Sequence, residues 1–305
     1  MTGSPTVSVL VPTYNHRPFI AESLDSILSQ DYDDMEVIVS DDASTDGAQA
    51  VLKTFADKYP DKLHVIFAKE RGGISKNCNR AWRKCRGKYV ALMSGDDIML
   101  PGKLRKQVEL MDADPGCSVS YHDLDVFDSD TRSTMYRWNE TQDHKPRDGN
   151  VGGIIVHGTY IGACSSMVRR TSCPELGFDE QIPVASDWLF LIEAAAGGGT
   201  VRFLPEVLGG HRRHSSNVTS INRGLDEQFR TLEIVASKYP GLGNFVRRGR
   251  GRLYYAKAVE SLVAGSGPDV RRYLSLSVRN GWYSWKCIIR WVQSFLPGSA
   301  AGGPV

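Results

Sequence analysis

The first hundred residues repeat one pattern four times: a short apolar run that ends in polar residues. Val7-Ser8-Val9-Leu10-Val11 stops at Pro12 and turns out through Thr13, Tyr14 and Asn15. Glu36-Val37-Ile38-Val39-Ser40 runs into Asp41-Asp42-Ala43-Ser44-Thr45-Asp46-Gly47. Leu63–Phe67 leads to the loop Lys69–Gly73, and Tyr89–Met93 to Ser94-Gly95-Asp96-Asp97. Between these runs, apolar residues recur at helical spacing: Ile20, Leu24, Ile27 and Leu28; then Val51, Leu52, Phe55 and Tyr59; then Asn77, Ala81 and Trp82. Strands alternating with helices predict a parallel sheet with helices on both faces. Such a sheet binds its ligand beyond the carboxyl ends of its strands.

The polar groups of this stretch fall at those ends. Two adjacent carboxylates, Asp96 and Asp97, repel each other, and a divalent cation with oxygen ligands relieves the repulsion. Mg²⁺ or Mn²⁺ suits such a pair and shares its remaining positions with water and substrate phosphates. The plainer alternative is a turn in which one of the two caps the helix entered at Pro101. Asp41 and Asp42 divide in the same way, between turn chemistry and a carboxylate that accepts the imide N–H of a base. Tyr14 offers a ring for that base to stack on. The first strand is followed by no GxGxxG and no GxxxxGK[ST], which excludes the usual dinucleotide and P-loop sites.

Taken together, Val9–Asn15, Val39–Asp46 and Ser94–Asp97 resemble the motifs of family 2 glycosyltransferases, over about the first 220 residues. The resemblance implies the GT-A fold, an α/β Rossmann-like domain, and an inverting enzyme that uses nucleoside-diphosphate sugars. It implies that Pro12, Thr13, Tyr14, Asn15, Asp42 and Arg71 surround the nucleotide, chiefly its base. Asp96 would meet the ribose, and Asp97 would bind the Mn²⁺ or Mg²⁺ that bridges the diphosphate. The metal motif reads Ser-Gly-Asp-Asp where Asp-x-Asp-Asp is commoner, so one candidate carboxylate is missing.

Further on, Ser186-Asp187 matches the family's Glu-Asp motif and marks Asp187 as the catalytic base. Read alone, Asp187 is either an N-cap or a carboxylate placed to take the proton of an acceptor hydroxyl. His211-Arg212-Arg213-His214 resembles the family's Tyr-Arg-x-His segment. Arg212 and Arg213 would hold the diphosphate, and His214 would bind the metal or a phosphate. The polar stretch 128–152 is long for a plain connection and reads as a mobile flap over the acceptor, with Tyr136 and Trp138 as a stacking surface for a sugar.

Residues 1–220 are expected to form the GT-A domain, and 221–305 a helical appendage without strands. In the appendage Trp282, Trp285, Ile288, Ile289, Val292 and Phe295 lie with Lys286 and Arg290 on the remaining face, a pattern that fits either internal packing or a membrane interface. The net charge of +2 gives no general drive toward nucleic acid. Six scattered cysteines show no metal-site spacing, and no secretory signal opens the chain, so cytoplasmic, free thiols are expected. The implied activity is transfer from a nucleoside-diphosphate sugar, UDP favoured, to a hydroxyl of a saccharide or lipid-linked acceptor in bacterial cell-surface polysaccharide synthesis. The rivals are a sugar-phosphate nucleotidyltransferase and a non-catalytic nucleotide-sugar-binding module.

Overall fold

The structure is a computed structural model that describes residues 3–141, 144–217, 224–283 and 285–295. Its strands are β1 (Val7–Thr13), β2 (Met35–Asp41), β3 (Leu63–Phe67), β4 (Tyr89–Leu92), β5 (Ile98–Met99), β6 (Cys117–Asp128), β7 (Thr134–Arg137), β8 (Met167–Arg169) and β9 (Thr200–Arg213). They form one sheet in the order β3-β2-β1-β4-β8-β6-β9-β5, with β7 paired to β6. The helices are α1 (Ile20–Leu28), α2 (Ala48–Lys58), α3 (Ile74–Trp82), α4 (Lys103–Ala113), α5 (Val151–His157), α6 (Ser186–Ala196), α7 (Gly224–Lys238), α8 (Gly243–Val263), α9 (Gly267–Arg279) and α10 (Trp285–Gln293).

The half of the sheet formed by β3, β2, β1 and β4 is parallel, as the alternation requires. Val7, Val9 and Val11 of β1 and Val37 and Val39 of β2 bury against Ile20, Leu24 and Ile27 of α1 and Leu52 of α2. The intervening Leu10, Ile38 and Val90 are buried too, so these strands are covered on both faces. The other half is mixed. β8 runs antiparallel to β4 and β6, and β5 antiparallel to β9, whereas β6 and β9 pair in parallel.

Strand β9 has no apolar signature in the sequence: Pro205, Glu206, Gly209 and Gly210 interrupt it. The glycines have a packing reason. A Cβ on Gly209 would come within 2.9 Å of the Leu124 side chain, and one on Gly210 within 3.0 Å of Phe127, so side chains of β6 occupy that space.

The expected flap over 128–152 is corrected. Its described residues include β7, paired to β6, and Trp138 donates its Nε1–H to the Tyr160 carbonyl at 3.0 Å. Buried Asn139 holds the carbonyls of His144 and Tyr160. The Trp138 ring is stacked on His144 at 4.2 Å, so it ties down the loop and that face is closed to a sugar.

The chain divides into two units, Met1–Ile154 with Thr159–Ser220, and Ile155–Gly158 with Ile221–Val305. In the second unit Ala258 and Leu262 of α8, Val270 and Leu274 of α9 and Cys287 of α10 form a core of their own. The glycines of the Arg247–Arg252 run lie at close contacts: a Cβ on Gly251 would meet the Ser277 carbonyl at 3.0 Å, and the Ser277 hydroxyl donates to the Gly251 carbonyl. All six cysteines are free thiols. No helix of the described residues is long and apolar enough to cross a membrane.

Candidate active site

The strand ends meet at Thr13. Its carbonyl accepts the Asp42 N–H at 3.0 Å and the Asn77 side-chain amide at 3.1 Å, which joins β1, β2 and α3 at one oxygen. Gly95 donates its N–H to the Pro12 carbonyl and lies against Thr13 so closely that a Cβ there would be 2.5 Å from Thr13 Oγ1. The loop after β1 is locked to the loop after β2: Asn15 N–H donates to Ser44 Oγ, and Asn15 Oδ1 accepts the Thr45 N–H. Asn15 and Ala43 both adopt positive φ, 54° and 60°. For alanine that conformation is costly, and such strain gathers where a binding loop is over-determined by its surroundings.

On one side of Thr13 lie the groups expected around a base. Arg71 places its guanidinium 4.3 Å from the centre of the Tyr14 ring. Asp42 is buried. Its Oδ1 accepts the Gly72 N–H at 2.8 Å and an Arg80 hydrogen bond, and its Oδ2 accepts the Gly73 N–H at 2.8 Å. One acceptor position of Oδ2 is left by these bonds, the number an imide N–H needs. Asp41 turns inward instead, with Oδ2 on the Ser44 N–H and the Gln49 amide.

On the other side are the two acids of the β4–β5 turn, and the structure separates their surroundings. Asp96 Oδ2 lies 3.1 Å from His214 Nε2, 3.4 Å from the Asn217 amide and 3.7 Å from His16 Nε2, and Asp96 Oδ1 accepts the Ser94 hydroxyl. Burial works against its ionisation, yet the His214 hydrogen bond and the charge of His16 hold Asp96 below the usual carboxylate range. Asp97 Oδ1 takes the Arg212 N–H and faces His211 Nδ1, each at 3.0 Å. Asp97, His211 and Cys164 each bring a ligand-type atom within 4.8 Å of the others. The Cys164 thiol is pushed well up by burial and by the Asp97 charge. Beneath them Lys103 is wholly buried, with Nζ on the Cys164 carbonyl at 3.0 Å, and burial pulls its pKa down to about 8.

His214 thus meets Asp96, while Asp97 meets His211. Arg212 is buried, with Nε on the Asp96 carbonyl at 2.7 Å and Nη2 on Glu22 at 2.6 Å, and its guanidinium lies between the Phe19 and Phe127 rings. These contacts brace the turn. Arg213 does line a cleft of about 580 Å³, with Asn15, Phe19, Asp128, Asp130 and His214. Its Nη2 also touches the Tyr136 hydroxyl at 3.2 Å.

Asp187 lies in the first turn of α6, half-buried. Next to it, the Ser186 hydroxyl is 2.9 Å from Ser75 Oγ, and Ser75 also donates to the Ile182 carbonyl. The start of α6 is therefore tied to the start of α3, two residues from the Gly73 N–H that holds Asp42. The Asp187 charge reaches Cys78 on α3, whose thiol is raised to about 12, by burial first and Asp187 second.

Residues 8–177 match the family model described as "Glycosyl transferase family 2". The chain belongs to this family. It is 34% identical over 219 residues to the "Putative teichuronic acid biosynthesis glycosyltransferase TuaG" of Bacillus subtilis, a span of 71% of this chain and 82% of that protein. An uncharacterised Mycobacterium tuberculosis protein is 29% identical over 218 residues, 70% of this chain and 60% of that one. Among solved structures, S. aureus TarS 1-349 in complex with UDP matches with a TM-score of 0.65 at 17% identity, covering 95% of this chain and 89% of that one. The mannosyltransferase PcManGT from Pyrobaculum calidifontis, in complex with GDP-Man and Mn²⁺, matches with a TM-score of 0.65 at 21% identity, covering 94% and 79%. The fold is that of the GT-A glycosyltransferases, and this family 2 member is a glycosyltransferase.

Two site residues escaped the sequence reading. His16, from the loop after β1, approaches Asp96, and only its place behind the Thr13-Tyr14-Asn15 motif could have signalled it. Lys103 looked like an ordinary helix start, and its burial under the acidic turn has no sequence signature.

Proposed function

We propose that this glycosyltransferase moves a sugar, with inversion, from a nucleoside-diphosphate sugar to a hydroxyl of a saccharide or lipid-linked acceptor in bacterial cell-surface polysaccharide synthesis. The observation that carries the reading is the convergence of His16, Asp96 and His214 from three separate strand ends, beside Tyr14, Asp42 and Arg71. The likeness to TuaG supports the polysaccharide setting, and residues 1–220 would form the catalytic domain with 221–305 as its appendage.

The residues fit a divalent cation. Asp96 Oδ2 and His214 Nε2 are oxygen and nitrogen donors 3.1 Å apart, and buried His16 Nδ1 and Thr13 Oγ1 nearby have no hydrogen-bond partner among the described residues. Mn²⁺ or Mg²⁺ held by Asp96 and His214 would offset the charge that grows on the departing diphosphate. We assign the metal role to Asp96, the carboxylate that His16 and His214 approach from two further strand ends.

The protein's own groups do the rest. Tyr14 and Arg71 present flat faces to the base, and Asp42 Oδ2 accepts an imide N–H, as uracil in UDP offers. Arg213 supplies a cation in the cleft. Asp187 takes the proton of the acceptor hydroxyl as its oxygen bonds to the anomeric carbon. The bond from that carbon to the phosphate oxygen breaks, and its electron pair leaves on the nucleoside diphosphate.

A panel of nucleotide sugars, screened for metal-dependent thermal stabilisation, tests the reading. UDP-sugars with Mn²⁺ should raise the melting temperature, and turnover should release nucleoside diphosphate. Release of pyrophosphate would favour the nucleotidyltransferase rival, and tight binding without hydrolysis or transfer would favour the binding module.

A further inference from the structure

Helix α10 carries its apolar stripe on the outside. Ile288, Trp291, Val292 and Phe295 follow the i, i+3, i+4, i+7 spacing that normally turns a stripe toward a core. Here they are 68%, 48%, 51% and 56% exposed. Among the described side chains, the buried apolar contact of α10 with its own unit runs through Cys287, which packs with α8 and α9. Ile289 is 45% and Tyr283 77% exposed beside this stripe. So much apolar side chain gathered on one short helix is unusual for a surface that meets only water.

Along this stretch of the chain the charges are of one sign. From Arg271 to Phe295 the sequence holds Arg271, Arg272, Arg279, Lys286 and Arg290 and no acidic residue. Arg290 anchors inward on the Tyr255 hydroxyl at 2.9 Å, and Arg271 sits 4.6 Å over the Phe295 ring with Nη1 on the Ser294 carbonyl. Lys286 and Arg279 are exposed. A second copy docked on this stripe would bring the same cationic stretch against itself. An anionic bilayer offers apolar depth to the stripe and negative charge to its rim, the two properties the helix presents.

We propose that α10 is a membrane-surface helix that seats its Ile288–Phe295 stripe in the interface of an anionic lipid bilayer. It lies on the membrane and does not cross it. The inference is independent of the donor chemistry proposed above, because none of its residues belongs to that site.

The full chain, incubated with vesicles of phosphatidylcholine alone or mixed with phosphatidylglycerol, tests it by co-sedimentation and by tryptophan fluorescence. Binding to the mixed vesicles with a blue shift, and little binding to phosphatidylcholine alone, is the expected result. Ile288→Ser with Val292→Ser should weaken binding about tenfold or more, from the apolar area lost. Lys286→Glu should weaken it about tenfold and make the remaining binding less sensitive to salt. Both changes are at exposed positions, and an unchanged far-ultraviolet spectrum and nucleotide binding would show that the fold is kept. No binding to either vesicle overturns the proposal. So does binding that ignores the serine pair, or a concentration-dependent dimer that the pair abolishes.

Discussion

Exchanging the two adjacent acids for amides, one at a time, separates a ligand from a brace. Asp97 is a buried carboxylate that takes the Arg212 N–H and faces His211 Nδ1, each at 3.0 Å. Hydrogen bonds to a charged group contribute about 1.5–3 kcal/mol each, and an amide oxygen keeps a weaker version, so Asp97→Asn should cost about 2–3 kcal/mol. For a domain of this size that lowers the melting temperature by about 4–12 °C. Asp96 sits among His214, Asn217 and His16. Against the cost of burial, His214 and His16 hold its carboxyl below the usual range, so these contacts stabilise the folded state as well as gather donors around an acceptor. Asp96→Asn should therefore also lower the ligand-free melting temperature, and the two variants separate by the ligand-induced rise. The assay is thermal unfolding with and without Mn²⁺ and UDP. At ligand about 100-fold above its dissociation constant, linkage adds ~2.7 kcal/mol to the wild type. A loss of affinity of tenfold or more in Asp96→Asn would halve that gain or remove it. The reasoning is refuted if Asp97→Asn abolishes the ligand-induced rise at wild-type base stability while Asp96→Asn retains it.

Three further outcomes follow from the same geometry. Asp187→Asn should reduce transfer about 10²- to 10⁴-fold while metal-dependent nucleotide binding persists, and full turnover by this variant would remove Asp187 from the chemistry. Gly95→Ala must displace Thr13, whose Oγ1 would be 2.5 Å from the new Cβ, so stability should fall by about 1–3 kcal/mol together with nucleotide affinity; a neutral alanine contradicts the close approach. Lys103 is held near pKa 8 in the folded state against about 10.4 when unfolded. Between those values the unfolded chain binds more protons, so the stability of wild type relative to Lys103→Met should rise with pH, by roughly 1.4 kcal/mol per unit at most, and stay level below pH 8. Denaturant titrations from pH 7 to 10 read that difference, and a flat one would place the ammonium in contact with water.

The parallel half of the sheet was legible because each strand is buried on both faces and so appears as an unbroken apolar run, as in Val7–Val11 and Tyr89–Leu92. The mixed half was not. Strand β9 is broken by Pro205 and by two glycines whose missing side chains make room for Leu124 and Phe127, so its pattern records its neighbours and not its period. At the candidate site, the motifs located the loops and left the direction of each side chain open. Asp96 and Asp97 are adjacent, and only the path of β9 past the turn decides that Asp97 meets His211 while Asp96 meets His214. Arg212 and Arg213 divide for the same reason: successive residues of a strand point to opposite sides, one between Phe19 and Phe127 and the other toward the cleft. The outward turn of the Ile288 stripe depends on which flank of α10 the second unit's core accepts, which helical spacing alone does not specify.

The claim on which the rest depends is that β1, β4 and β9 bring one cation site to the nucleotide. Crystals grown with Mn²⁺ and UDP, measured at the manganese absorption edge, test it most directly. The account predicts an anomalous peak within bonding distance of Asp96 Oδ2 and His214 Nε2, with the base beside Tyr14 and Asp42. A peak among Asp97, His211 and Cys164, or bound nucleotide with no manganese beside Asp96, would contradict it.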